Sequence, residues 1–287
     1  MSGTRSQDIL LFLKPMIKKI LFAAAVLFSA LSASAFESEG HDAIAYIAEC
    51  NLTPTAKATI EKYLGGRSIV YYASWMDYIR LTPEYKHTDG WHSASLDANG
   101  KAKIWKDRYM AQVGITQELT KVRDYKHMTD SAVAVSIKLL VHMIGDMHCP
   151  AHTFFEGTPQ KIHFSFKGGD KMRFHKFWDQ TSLSMAHNWY YTEYQHQLDR
   201  ATPQEKAEIC SGTLVDWIED NGRIVRPVYD WFTDGKDYDK YETPVLILKA
   251  AEIQHLQIMK AGYRLAHVLN SVFDPEYAKT VKTDILK

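Results

Sequence analysis

The sequence predicts an all-α fold built as one domain, and three observations carry that expectation. Apolar residues recur at helical spacing through most of the chain. Helix starts and stops stand beside those stretches as Thr-Pro, Thr-Asp, Gly-Gly and a late Pro. Only one short stretch alternates as a strand would, and no repeat, low-complexity tract or Pro/Ser linker divides the chain.

Taken in order, Gly40 to Cys50 is amphipathic. Thr53-Pro54 opens a second helix that stops at Gly65-Gly66, since Pro suits a first helical turn and Gly a helix exit. Ser68 to Arg80 carries a third apolar pattern. Thr129-Asp130 opens a long helix through Met147, and Pro150 ends it because the residue before a proline is pushed out of the helical region. Phe174 to His187, Thr202 to about Phe232, and Thr243 to Leu269 complete the helical set. Lys161 to Lys167 alternates like a strand, with Gly168-Gly169 as a turn beside it, so at most a short β-hairpin is expected.

The first 35 residues do not belong to that fold. Met16-Ile-Lys-Lys is a short basic segment, Ile20 to Leu31 is an apolar run, and Ala33-Ser34-Ala35 is a small-residue cleavage site. Together they form a secretory signal peptide, with Met16 the more natural initiator and Phe36 the new N-terminus. The apolar run is too short for a comfortable membrane span, and no second one follows, so no membrane insertion is expected. Residues 36–287 remain, 252 of the 287, enough for one sizeable core. The whole chain carries 34 Lys+Arg and 34 Asp+Glu; residues 1–35 hold four of the former and one of the latter, leaving 30 against 33. That near-neutral balance excludes a broad basic footprint for duplex binding. An anionic substrate would have to be drawn by locally bound metal. Cys50, Cys149 and Cys210 are the cysteines, and an odd count leaves at least one thiol unpaired. Cys50–Cys210 is the expected pair in an exported protein.

Chemistry concentrates in His142-Met-Ile-Gly-Asp146-Met-His148-Cys-Pro-Ala-His152 and in His175-Lys-Phe-Trp-Asp179. His and Asp four residues apart share a helix face. Of the 13 histidines, only His142 and His175 have Asp at that spacing. An exposed polar stripe is the ordinary alternative, but Leu139, Leu140, Val141, Met143 and Ile144 surround the first pair, and a buried His and Asp need partners. Imidazole with carboxylate points to a hydrolytic zinc site rather than a Cys-rich structural one. Gly145 leaves room for metal or backbone to come close. His148 has a rival partner in His152, but its turn position suits a hydrogen bond that orients a ligand. Cys149 is a poorer ligand candidate than its neighbours. Asp77, Arg80, His92 and His41 are individually weak: a surface Asp, a surface Arg, a loop His and a structural His read as well.

Taken together they do not. Phe36-x4-His41, Trp75-x-Asp77-x2-Arg80, Trp91-His92, His142-x3-Asp146-x-His148-x-Pro150-x-His152 and His175-x2-Trp178-Asp179 resemble, in order and spacing, the zinc-dependent single-strand nucleases. This is the family of mung bean nuclease and its fungal, plant and bacterial relatives. The resemblance runs from the cleavage site to Asp179, and the helical remainder suits that family's all-α fold, which it shares with zinc-dependent phospholipase C.

The resemblance implies three Zn2+ ions per chain. Asp77, His92, His142 and Asp146 would hold one. His41, Asp146 and the amino nitrogen and carbonyl oxygen of Phe36 would hold a second, with Asp146 bridging. His152, His175 and Asp179 would hold the third, and His148 matches a position that is not a ligand. Asp77, Asp146 and Arg80 would carry the catalysis, Arg80 as a phosphate clamp one helical turn from Asp77. The implied activity is hydrolysis of single-stranded DNA and RNA to 5′-phosphorylated products, with 3′-nucleotides as further substrates, by a secreted or periplasmic monomer.

Two departures stand out. The family typically begins with Trp where this chain has Phe36, a change that backbone ligation tolerates. After the loop His, the better-studied fungal members carry a base-stacking aromatic and then an acid two residues on; here Ser93 and Ser95 stand there. A zinc-dependent phospholipase C is the nearest alternative, although its last ligand is typically Glu where this chain has Asp179. A non-catalytic metal-binding protein of the cell envelope is the alternative from another class.

Overall fold

A computed structural model describes residues 38–103, 110–158 and 161–287; Phe36, the expected signal segment and its expected cleavage site lie outside them. Helix α1 (Ser38–Cys50) buries Ile44 and Ile47. The Thr53 hydroxyl accepts from the Ala56 amide and caps α2 (Pro54–Tyr63) with Pro54 in its first turn, as expected. The apolar stretch from Ser68 to Arg80 is a 3-10 turn (Ile69–Tyr72) and then α3 (Trp75–Ile79) rather than one helix. Ser74, at φ −98° and ψ 9°, breaks the run, in the bridge region between helix and strand.

Strand β1 (Ala94–Leu96) precedes a helix that the sequence pattern does not announce, α4 (Ala111–Val122). Its N-cap position is Met110, which makes no side-chain cap, so the usual start signal is missing. The long helix α5 (Asp130–Asp146) begins as expected, with Thr129 accepting from the Ala132 amide. Beyond it, Pro150–His152 forms a 3-10 turn leading into β2 (Thr153–Phe155).

More strand is present than a hairpin. β1 and β2 pair in parallel, Ala94 opposite Thr153. β3 (His163–Phe166) pairs antiparallel with β4 (Met172–Arg173), which is the expected hairpin. The helical stretch from Phe174 is divided into α6 (Phe174–Lys176), a π turn (Phe177–Thr181) and α7 (Ser182–Ala186). After α8 (Tyr191–Leu198), the single helix expected over Thr202 to Phe232 is three elements. These are α9 (Pro203–Ile209), α10 (Leu214–Val225) and a 3-10 turn (Arg226–Trp231). Gly212, at φ +87°, turns the chain between the first two, and Thr202 with Glu205 and Thr213 with Asp216 cap them reciprocally. β5 (Asp237–Tyr238) adds a parallel neighbour to β3.

The 32-residue α11 (Glu242–Phe273) is the spine, lying against α1, α5 and α2, with α12 (Pro275–Thr280) after it. Ile258 and Leu265 on α11 and Ile44 and Ile47 on α1 are at most 1% exposed. Each such side chain contributes about 1.5–3 kcal/mol on burial. Arg264 is buried in this spine. It donates to Asp220 Oδ2 (2.7 Å), Asn221 Oδ1 (3.2 Å) and the Ile209 carbonyl (3.0 Å), tying α9 and α10 to α11.

The expected Cys50–Cys210 disulfide is not formed: all three cysteines are free thiols. Cys50 is exposed beside Tyr46 and Asp199, whereas Cys210 caps α9 near Arg264 and Lys206. Their sequence separation said nothing about these different surroundings.

Candidate metal centre

Two chain segments that begin with a ligand candidate run side by side. β1 starts two residues after His92 and β2 one residue after His152, and their parallel register brings both histidines to one end of the pair. His152 Nδ1 donates to the His92 carbonyl at 2.6 Å, which seals that arrangement. On α5, His142 Nδ1 donates to the Ala73 carbonyl at 2.8 Å. In each ring the backbone bond places the proton on Nδ1 and leaves Nε2 to face the cluster, the usual way in which a metal-binding imidazole is oriented.

Asp146 lies at the middle. Its Oδ2 is 2.7 Å from His92 Nδ1 and 3.1 Å from His142 Nε2, while its Oδ1 is 3.3 Å from His41 Nε2. Asp77 Oδ1 is 3.5 Å from His142 Nε2 and 3.7 Å from His92 Nδ1. The His41 and His142 rings stack at 4.0 Å and 13°. On the far side, His152 Nδ1 is 3.8 Å from Asp146 Oδ1, and its Nε2 is 3.2 Å from Asp179 Oδ1. His175 Nδ1 is 3.6 Å from Asp179 Oδ2, with half its side chain exposed. The structure therefore gathers every described candidate ligand, and all but His175 are buried.

Protons and cations compete for such a place. Burial disfavours a charged His142 ring, yet Asp146 and Asp77 overcome it and hold the ring well above its ordinary pKa. His152 is likewise lifted to about 10, burial being overcome by Asp146 and Asp179. Burial also raises Asp146, but His152 and His142 hold it well below the usual carboxylate range. Burial lowers His41 and His92, each also next to the charge on His142.

A divalent cation fits this donor set on a separate ground. Both oxygens of Asp77, Oδ1 of Asp146, Oδ2 of Asp179 and Nε2 of His92 are buried without a hydrogen bond. Buried polar atoms are rarely orphaned, and here five belong to four of the candidate ligands. His41, Asp77 and His142 form one set whose ligand atoms lie within 4.8 Å of one another; His92, His142 and Asp146 form a second, and Cys149, His152 and Asp179 a third.

Three details differ from the sequence reading. His148 does not orient a ligand: its Nδ1 donates to the Ile144 carbonyl at 2.7 Å and its Nε2 accepts from Arg264 at 3.0 Å. Burial and Arg264 keep that ring well below its usual pKa, so it pins the end of α5 to α11. Cys149 stands closer to the cluster than its neighbours suggested, its thiol 3.7 Å from Asp179 Oδ1. Burial and Asp179 push the thiol well above its usual pKa, so Cys149 serves as an S–H donor to that carboxylate. Gly145 makes room for the His41 ring: a Cβ there would stand 2.9 Å from His41 Nδ1. Gly145→Ala should therefore displace the ring and loosen metal at His41, with the remaining ligands kept. Metal titration of the folded variant should show one weakened site, and unchanged binding at every site would contradict that role.

The carbonyls of Ala73 and His92 were missed from the sequence, since any residue offers a carbonyl. Arg80 was not missed. It donates to Asp89 Oδ1 at 2.6 Å, and its Nε lies 3.8 Å from Asp77 Oδ1 at the edge of the cluster.

Helices that bury a nest of imidazoles and carboxylates, with one carboxylate facing two groups of ligands, define a metal-dependent hydrolase of the all-α class. The family model described as S1/P1 nuclease matches residues 36–274, and the chain belongs to that family. It is 28% identical over 273 residues to nuclease PA3 of a Penicillium species and 27% identical over 273 residues to nuclease P1 of Penicillium citrinum. Each alignment spans 84% of this chain and 98% of the relative. Nuclease S1 of Aspergillus oryzae is 24% identical over 270 residues, 81% of this chain and 90% of that protein. The chain is an enzyme of the nuclease type, which sets aside the phospholipase C and the non-catalytic envelope protein as readings.

Proposed function

We propose that this protein is an exported zinc nuclease that hydrolyses single-stranded DNA and RNA to 5′-phosphorylated products and also acts on 3′-nucleotides. The observation that carries the proposal is Asp146, whose two oxygens face His41 on one side and His92 with His142 on the other. An all-N/O donor set of this kind suits zinc. Asp77, His92, His142 and Asp146 would hold one ion; His41, Asp146 and the N-terminal residue Phe36 a second; and His152, His175 and Asp179 a third. Zinc so held supplies Lewis acidity toward phosphate oxygens and makes water nucleophilic near neutral pH.

The protein's own part is to place and to exclude. The carbonyls of Ala73 and His92 fix two imidazoles, and the apolar flank of α5 keeps the carboxylates dry, so their charge acts at short range. Arg80, anchored by Asp89, is the guanidinium beside Asp77 and clamps the phosphate. A single strand reaches this nest because its bases are not locked in a duplex. Among the described residues no helix is long and apolar enough to cross a membrane, and the basic-apolar-small leader supports export. The protein acts as a monomer.

The deciding experiment is release of 5′-nucleotides from single-stranded DNA and RNA, lost on chelation and restored by zinc, with phosphatidylcholine as a control substrate. Cleavage of the lipid alone would overturn the proposal.

Ser93 and Ser95 set the expected selectivity. Ser95 is buried in β1 opposite Phe154, and Ser93 is half-buried next to His92. Neither offers a ring, so mononucleotides should inhibit weakly and base discrimination should be loose. Ser93→Phe should tighten mononucleotide inhibition by about tenfold, the scale of one stacked base. Strong discrimination among the four bases that ignores both serines would place the base contact elsewhere.

A further inference from the structure

Helix α11 supplies none of the candidate ligands, yet it holds two of the turns that carry them. Gln254 and Gln257 stand about one turn apart on its buried face, each 1% exposed. Gln254 Nε2 donates to the Trp178 carbonyl at 2.5 Å, and Gln257 Nε2 donates to the His148 carbonyl at 2.8 Å. Trp178 directly precedes Asp179, and His148 lies between Asp146 and His152. Further along the same face, Arg264 bonds the ring of that His148, so one helix grips the residue at two atoms. From α10, Asn221 Nδ2 adds a bond to the Met147 carbonyl at 3.1 Å.

The Trp178 carbonyl is open to Gln254 because the π turn skips it. In an α-helix it would accept from the Ser182 amide, but that amide bonds the Phe177 carbonyl, one residue further back. A carbonyl partner obliges each glutamine to turn its NH2 group forward. Among the described residues neither Oε1 has a hydrogen bond. Each amide thus buries an orphaned oxygen, a cost that an apolar side chain of the same length would avoid. What both amides do in this place is hold the backbone of a ligand-bearing turn.

We propose that Gln254 and Gln257 are positioning residues for the third ion: a gauge on α11 that fixes the spacing between Asp179 and the turn leading to His152. The inference rests on the zinc assignment above, and neither glutamine touches an ion or the substrate. Asp179 Oδ1 stands 3.2 Å from His152 Nε2, and the two residues sit on separate segments that α11 ties together. Without Gln254 the π turn is free to rewind toward an α-helical one, which carries Asp179 around the helix axis and away from His152.

The test uses the mature zinc-loaded protein with zinc itself as the probe, reading retained zinc across graded chelator beside the rate on single-stranded DNA. Gln254→Met removes the donor at nearly constant volume. It should weaken one of the three ions by roughly 10–100-fold, the range for partners that orient a ligand, and leave two held as in wild type. Gln257→Met should weaken the same ion from the other side. Asp179→Asn should lose that ion too, and adding Gln254→Met to Asp179→Asn should then lower neither zinc content nor rate further. A glutamine that only filled the core would add its own loss in the double variant. Gln254→Asn keeps the amide but is one methylene short, and takes the place of the methionine variant, with the same expectation, if that protein does not fold. Three ions held as in wild type by a folded Gln254 variant, or losses that add in the double variant, overturn the gauge. A protein that loses one zinc through Gln254 but whose wild type cleaves no nucleic acid would overturn the nuclease reading and leave the gauge standing. A wild type that holds no zinc would overturn both.

Discussion

Asp146→Asn should abolish nuclease activity by several orders of magnitude while helix content stays near wild type. Asp146 is fully buried, and its carboxylate touches His41, His92 and His142 with His152 just beyond, so one substitution strikes every group of ligands. Asparagine keeps the shape but loses the negative charge, and its amide nitrogen turns a donor toward positions that need an acceptor. On the proposed assignment two cation sites would then lose a shared ligand, and the zinc on which hydrolysis depends would be held weakly. The fold should survive because Leu139, Leu140, Val141, Met143 and Ile144 carry the packing of α5. Zinc content, circular dichroism and the rate on single-stranded DNA, measured on one preparation, check this. Near-normal turnover in a fully metallated Asp146→Asn protein would remove Asp146 from the centre of the mechanism.

Extending the chain before Phe36 should be nearly as damaging, without any change of side chain. The family resemblance assigns the amino nitrogen and carbonyl oxygen of Phe36 to the ion that His41 and Asp146 also hold, and His41 stands near the start of α1. A retained leader, or one added Met, converts a free amine into an amide, whose nitrogen is a poor zinc ligand. One ion should then bind weakly and hydrolysis should fall sharply, with the other ions held. Phe36→Ala with a free N-terminus should cost far less, because the contact is through backbone atoms. Comparing metal stoichiometry and rate for the mature, Met-extended and Phe36→Ala proteins decides it. Equal rates with full zinc in the extended protein would exclude the N-terminus from catalysis.

Much of this molecule could be read before it was seen, and the division follows physical lines. Capped helices were legible because Thr53 and Thr129 act locally, on amides three residues away. The candidate pairs His142 with Asp146 and His175 with Asp179 were legible because spacing along a helix sets which side chains share a face, whereas His41, Asp77 and His92 stood out only through the family resemblance. Helix α4 was not, because Met110 gives no cap, and the breaks at Ser74 and in the π turn at Phe177–Thr181 carry no Gly or Pro that would announce them. By itself, then, the sequence determined the mostly helical class, a matter of contacts within a few residues, and the candidate ligand types and their order along the chain. Only the tertiary structure decided that β1 and β2 pair in parallel to bring His92 to His152, that Ala73 and His92 lend their carbonyls, and that His148 turns away to Arg264. Those contacts join residues from about 60 to more than 100 positions apart, and backbone carbonyls carry no signature of the residue that owns them.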